Sequence, residues 1–225
     1  MEEPLKRVIS RLISRFDTRE KFFRSLPPSS RVLDLGCGSG ANGLQVREML
    51  PEVTIDGVDI VRHPQLPSCY SFKQVDLDCG ILPFPDDFFD AVVFTHVIEH
   101  LRVPLGIGGE VHRVMRRSAS IYVETPNWTS VFAPPFGFKR DQHDPFNFYD
   151  DPTHVKPWSR QGLFEFLHDS CKLRVVKVGG TRNWLRVPFD LLFVARGLIS
   201  KDRRRVIASF WNLYGWCIYG VGTKD

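Results

Sequence analysis

Two short runs carry residue types that do chemistry. In the first, His96-Val97-Ile98-Glu99-His100, two imidazoles and a carboxylate fall within five positions. Such groups bind divalent metals or move protons. On a helix, positions 96, 99 and 100 would share one face. H-x-x-E-H is also the pattern of inverted zinc peptidases, but here it follows an apolar strand-like run at 89–95, which is not a peptidase setting. The second run is Asp34-Leu35-Gly36-Cys37-Gly38-Ser39-Gly40, a D-x-G-x-G-x-G pattern. Glycines between a strand and a helix let the backbone approach a ligand closely, with helix N–H groups facing it. Asp34 is placed to meet a cationic group. Asp59, about 20 residues on, is placed to take ribose hydroxyls. Asp76 could receive an adenine amino group. Each aspartate alone reads equally well as a turn residue. Three of them at successive strand ends, on one sheet edge, point to a ligand. Gly36, Gly38 and Ala41 also satisfy G-x-G-x-x-A, so a nicotinamide dinucleotide is the competing reading.

These residues need a scaffold, and the flanking sequence supplies one. Short apolar runs at 31–35, 54–60, 71–75, 89–95, 119–124 and 173–178 read as strands, with a last one at 217–221. Helical patterns follow the glycine loop (to Leu50) and start again at His96 and at Ser159, the latter a candidate N-cap. Strands alternating with helices predict an α/β fold, a doubly wound, mainly parallel sheet. Leu5, Val8, Ile9, Leu12, Ile13 and Phe16 recur at helical spacing among Lys6, Arg7, Arg11 and Arg15, predicting a basic amphipathic N-terminal helix that ends before Pro27-Pro28.

The charge balance is mild: 30 basic against 26 acidic side chains give +4 over 225 residues, too little by itself to argue for nucleic acid. Five cysteines without a C-x-x-C spacing argue against a disulfide framework or a structural zinc site and suit a reducing, cytoplasmic compartment. Val206 to Thr223 is uncharged, but it is at the short limit for a span of ~20 apolar residues and is interrupted by Asn212 and three glycines. It is not expected to cross a membrane.

VLDLGCGSG, IDGVDI and VDLDCGILPFPDDFFDAVVFTHVIEHL together resemble the class I S-adenosylmethionine-dependent methyltransferases, most closely the branch acting on small molecules that includes ubiquinone-pathway O-methyltransferases. The resemblance spans about residues 29–180. It implies a seven-stranded Rossmann-like sheet and S-adenosylmethionine as cofactor. By it, Gly36, Gly38 and Gly40 pass beneath the methionine part and ribose, and Asp34 lies near the cofactor's amino end. Asp59 with Ile60 takes the ribose, Asp76 and Leu77 read the adenine, and Thr95 belongs to the same cofactor site. Leu82-Pro83-Phe84 and Phe89-Asp90 match the segment entering the fourth strand, with Asp90 structural. Some relatives carry E-x-x-E-H with a later histidine and hold a divalent ion on two acceptor oxygens. Here Glu99 and His100 are in register, and Thr153-His154-Val155-Lys156-Pro157-Trp158 resembles the later segment. His96 stands where those enzymes have Glu, which favours Zn, Fe, Mn or Ni over Mg. The metal set is thus His96, Glu99, His100 and His154. Without metal, His100 or His154 is the candidate general base.

Aromatic residues make up 12% of the chain, and many fall in two places. Trp128, Phe132, Phe136, Phe138, Phe146, Phe148, Tyr149 and Trp158 crowd 126–158, which reads as a lid over an apolar or planar acceptor or as a satellite hydrophobic cluster. Residues 182–212 read as an apolar and basic helical insertion. It suits an anionic membrane surface or a lipid-like substrate first, a homodimer second and nucleic acid third. The expected layout is one domain over 1–225: an N-terminal helix (1–28), a cofactor half (29–125), the lid (126–158) and a C-terminal half (159–225). The expected activity is O-methylation of a small apolar or lipid-linked acceptor in the cytoplasm, peripherally at the membrane. An NAD(P)-dependent oxidoreductase and a non-catalytic binding subunit are the competitors.

Overall fold

The computed structural model describes residues 13–133 and 145–225. Seven strands form one sheet: β1 (Arg31–Leu35), β2 (Thr54–Asp59), β3 (Tyr70–Gln74), β4 (Phe89–Thr95), β5 (Met115–Pro126), β6 (Arg174–Gly180) and β7 (Cys217–Thr223). The helices are α1 (Thr18–Ser25), α2 (Ala41–Met49), α3 (Gly108–Val114), α4 (Arg160–Glu165), α5 (Val187–Ser200) and α6 (Arg203–Tyr214). The sheet order is β3-β2-β1-β4-β5-β7-β6. β1 pairs in parallel with both β2 and β4, and β7 runs antiparallel between β5 and β6. Strand order therefore reverses at β1 and β4, and the crevice beyond their carboxyl ends is where an open α/β sheet takes its ligand.

The strands buried on both faces read as continuous apolar runs, as a covered parallel sheet requires. β4 is buried along nearly all of FDAVVFT. Leu33, Leu35, Phe89, Phe94, Ile121 and Phe166 pack on one face of the sheet, and Phe23, Val32, Ile55, Val93 and Tyr122 on the other. Asp90 is structural as expected: its carboxylate accepts the Arg31 backbone N–H at 2.8 Å and pairs with Arg116 at 2.7 Å.

Three local expectations differ from the structure. First, no helix starts at His96. Its φ is +55°, and the His100 N–H bonds back to the Val97 carbonyl in a turn. The next helix is α3, beginning at Gly108. The three side chains at 96, 99 and 100 therefore do not share a helical face. Second, the N-terminal helix does not run unbroken to the prolines. The chain turns at Phe16 and Asp17, where N–H groups bond to Ile13 and Ser14 carbonyls, and α1 starts afresh. Leu5, Val8, Ile9 and Leu12 lie outside the described residues. Third, the helix at 159 is short. Ser159 caps it, its Oγ accepting the Gly162 N–H at 3.0 Å, but the helix widens into a π turn at Phe166–Ser170.

The aromatic rings split into two groups. Phe146, Phe148 and Trp158 are buried, whereas Trp128, Phe132 and Tyr149 are exposed. Phe146 packs against Val206 and Ile207 of α6. Phe136 and Phe138 lie outside the described residues. The insertion at 182–212 is a helical hairpin, α5 and α6, as expected.

Candidate active site

The glycine loop shapes a cleft of about 400 Å³ at the carboxyl ends of β1, β2 and β4. Gly36, Gly38, Asp59, Ile60, Asp76, Leu77, Val97 and His100 line it. Gly36 has no alternative: φ is +68°, and an added Cβ would lie 2.2 Å from Val97 Cγ2. Asp59 holds the loop from the opposite side. Its Oδ2 accepts the Gly38 N–H at 2.9 Å and its Oδ1 the Ile60 N–H at 2.7 Å. Asp76 accepts the Asp78 N–H at 3.0 Å and caps a 3₁₀ turn, with Leu77 buried beneath the wall.

Three expected cofactor residues lie behind the cleft instead of on it. Gly40 turns the chain into α2. Thr95 is buried, and its Oγ1 accepts the Asn42 amide at 2.9 Å. Asp34 is 1% exposed, with one oxygen taken by the Tyr70 hydroxyl at 2.8 Å and the other by the Asn42 amide at 3.1 Å. The Tyr70 hydroxyl also accepts the Gly43 N–H at 2.7 Å, stapling α2 to the loop. Tyr70 and Asn42 were not singled out by sequence. Their burial is the structure's own finding: Tyr70 is the buried residue of β3, and Asn42 is on the buried face of α2.

Burial pushes the Asp34 carboxyl up to about 6, its bonds to Tyr70 and Asn42 opposing the rise. A carboxyl whose pKa rises on folding holds its proton more tightly in the folded state. Its contribution to stability is therefore present at low pH and falls by about 3 kcal/mol as pH climbs from ~4 through ~6. The Asp34→Asn variant lacks this loss. Urea unfolding of both proteins at pH 4.5 and 7.5 should show the variant gaining on the parent by at least ~1 kcal/mol at the higher pH. An equal gap at the two pH values would refute the assignment.

One donor atom from each of Glu99, His100 and His154 lies within 4.8 Å of the others. The rings of His100 and His154 are 4.7 Å apart. Their tautomers follow from their partners. Thr153 Oγ1 donates to Asp151 at 2.6 Å, so it accepts from His100 Nδ1 at 2.9 Å. His154 Nδ1 donates to the Phe148 carbonyl at 2.6 Å. In the neutral form of each ring Nε2 then carries the lone pair, and in His154 it lies 3.9 Å from Asp151 Oδ2. Glu99 is fully buried. Its Oε2 accepts the Thr125 hydroxyl at 3.0 Å, while Oε1 makes no hydrogen bond. The His96 ring lies against Oε1 and offsets its charge, so an ion bound here would share that oxygen with His96.

His96 departs from that set. Its left-handed backbone turns the ring between two carboxylates, Nδ1 lying 3.5 Å from Glu99 and Nε2 3.3 Å from Glu124. Burial would lower its pKa, but the two acids outweigh burial and raise it. The ring is 38% exposed, so water tempers the effect. Glu124 lies two residues before the end of β5 and was read only as a strand residue. Burial opposes its charge, yet Arg19 at 3.2 Å, His96 and the Tyr122 hydroxyl hold it down at about 2. Glu124, Arg19 and His96 line a second pocket of about 270 Å³, together with Gln45, Arg186, Trp211, Asn212 and Cys217. His96 borders both cavities. It is the wall between the glycine-loop cleft and a chamber closed by α1 and α6.

The family model that describes a methyltransferase domain matches residues 1–170. The chain belongs to the methyltransferase family. An uncharacterized methyltransferase of Schizosaccharomyces pombe is 24% identical over 202 residues, covering 78% of this chain and 70% of that one. Two solved structures show the same fold. A SAM-dependent methyltransferase from Archaeoglobus fulgidus is 23% identical with a TM-score of 0.61, covering 96% of this methyltransferase and 94% of its own chain. A protein solved in complex with the Haloferax volcanii Trm112 methyltransferase activator is 18% identical with a TM-score of 0.64, covering 96% and 93%. The methyltransferase is thus an S-adenosylmethionine-dependent enzyme, and the nicotinamide and non-catalytic readings fall away. No helix among its described residues is long and apolar enough to cross a membrane.

Proposed function

We propose that the enzyme methylates an oxygen of a small apolar or lipid-linked acceptor, assisted by a divalent ion on Glu99, His100 and His154. The observation that carries this reading is the donor cluster itself: a buried carboxylate and two imidazoles whose ligand atoms lie within 4.8 Å of one another, at the edge of the glycine-loop cleft. Gly36, Gly38, Asp59, Ile60, Asp76 and Leu77 hold the cofactor, with Asp34, Gly40 and Thr95 supporting the loop from behind. The bound cofactor supplies an electrophilic methyl group on its sulfonium. An ion held by the cluster would add Lewis acidity at the acceptor oxygen. The chain's own work is alignment and exclusion of water. Thr153 and the Phe148 carbonyl fix the two imidazole rings, and Asp151 fixes Thr153. The acceptor enters through the chamber beyond His96.

A second reading needs no ion. The same Nε2 atoms are placed to take a hydroxyl proton, as general bases. Activity indifferent to chelators would select it. The reaction class is tested by incubating the enzyme with methyl-labelled cofactor and extract from cells. Label in the organic-extractable small molecules, as an ether or ester, is expected. Label confined to precipitated protein or nucleic acid would reject the reading.

A further inference from the structure

Helix α5 is built inside out. Its buried positions, Asp190 and Gly197, are a charge and a residue without a side chain, seven apart on one stripe. Asp190 is fully buried and paired with Arg186 at 2.9 Å and the Asn212 amide at 2.6 Å. Gly197 lets α6 approach: an added Cβ would meet Val206 Cγ2 at 2.6 Å. The apolar side chains face outward. Phe189, Leu191, Leu192, Phe193, Leu198 and Ile199 are exposed, Ile199 at 84%, and Trp184 just ahead of the helix at 70%. A helix that packs its polar stripe inward and shows apolar groups to solvent is adapted to an apolar medium.

We infer that α5 lies flat in the surface of an anionic lipid bilayer. Charge complementarity selects this occupant. The exposed charges around the apolar face that are left over are basic: Arg196 and Lys201. The acids of the hairpin are spent, Asp190 as above and Asp202 in capping α6 and pairing with Arg205. Arg182 sits over the Trp184 ring at 4.9 Å, an amphipathic pair suited to the headgroup level. With 14 residues, α5 is about 21 Å long, too short to span and long enough to lie in the interface. The chamber beyond His96 is walled by Arg186, Ala208 and Trp211 of the same hairpin. Docking through α5 would bring that chamber to the membrane surface. The link to acceptor delivery rests on the function proposed above, but docking itself does not.

Co-sedimentation with vesicles tests it directly. Vesicles of phosphatidylcholine with a quarter phosphatidylglycerol should bind the full chain at least tenfold more tightly than pure phosphatidylcholine. The pair Leu192→Glu and Ile199→Glu should weaken that binding at least tenfold while affinity for S-adenosylhomocysteine stays unchanged. Leu192→Ser with Ile199→Ser gives the same comparison if the glutamates disturb folding. No binding by the parent at low salt, or equal binding by the variants, overturns the inference. So does a parent dimer that the variants split without any vesicle binding, which would make a second copy the occupant. Vesicle binding without methylation of an apolar acceptor would instead reject the proposed reaction and leave docking standing.

Discussion

The Glu99→Gln protein should purify with less than a tenth of the divalent metal of the parent and transfer methyl groups at least a hundredfold more slowly. Glutamine keeps the shape and the carbonyl that accepts from Thr125, so the change removes charge without opening a cavity. What it loses is the cluster's negative charge, which Oε1 also presents to His96 Nδ1 at 3.5 Å. Two neutral imidazoles alone are a weak site for a hard or borderline cation, and loss even of groups that only orient a ligand costs ~10–100-fold in affinity or activity. Elemental analysis of purified parent and variant, beside initial rates with and without chelator, provides the check. Cofactor affinity serves as the control, since Glu99 does not line the cleft. A parent without stoichiometric metal, and with activity indifferent to chelators, would remove the ion from the mechanism.

Asp59→Ala is expected to weaken S-adenosylhomocysteine binding at least tenfold, about 1.4 kcal/mol. The carboxylate faces the cleft and also pins the Gly38 and Ile60 N–H groups. Bonds from backbone N–H groups to a charged acceptor are among the stronger ones, so its removal frees the glycine turn as well as a ligand partner. Asp59→Asn keeps part of that bonding and should fall between parent and alanine variant. Calorimetric titration of all three proteins decides the matter. Unchanged affinity in the alanine variant would take Asp59 out of the cofactor site.

The central parallel strands β1, β2 and β4 were legible because they are buried on both faces. FDAVVFT has no alternative to a central strand, and its bounds match β4. The glycine turn was legible for the same kind of reason, because positive φ at 36, 38 and 40 demands glycine. The sequence failed where long-range contacts decide. His96 sits in a helical pattern, yet Glu124, from a strand of distant sequence, captures its ring and the chain turns left-handed. Asp34 looked like a ligand-facing acid, but Tyr70 from β3 and Asn42 from α2 use up its oxygens. Arg19 carried no signal at all; its role exists only because α1 packs beside Asn42 and Glu124. The antiparallel direction of β7 was equally hidden, since strand composition does not encode direction.

That last strand sets an order of assembly. β6 joins the sheet only through β7, and β7 lies about ninety residues beyond the end of its other neighbour, β5. As a chain emerges from the ribosome, β1 to β5 can pair and close the glycine-loop crevice while β6 still lacks a partner. Closing so long a loop comes late and slowly. The nascent enzyme therefore acquires its cofactor half first, and the chamber beyond His96, which needs Cys217, takes shape only when β7 slots into place.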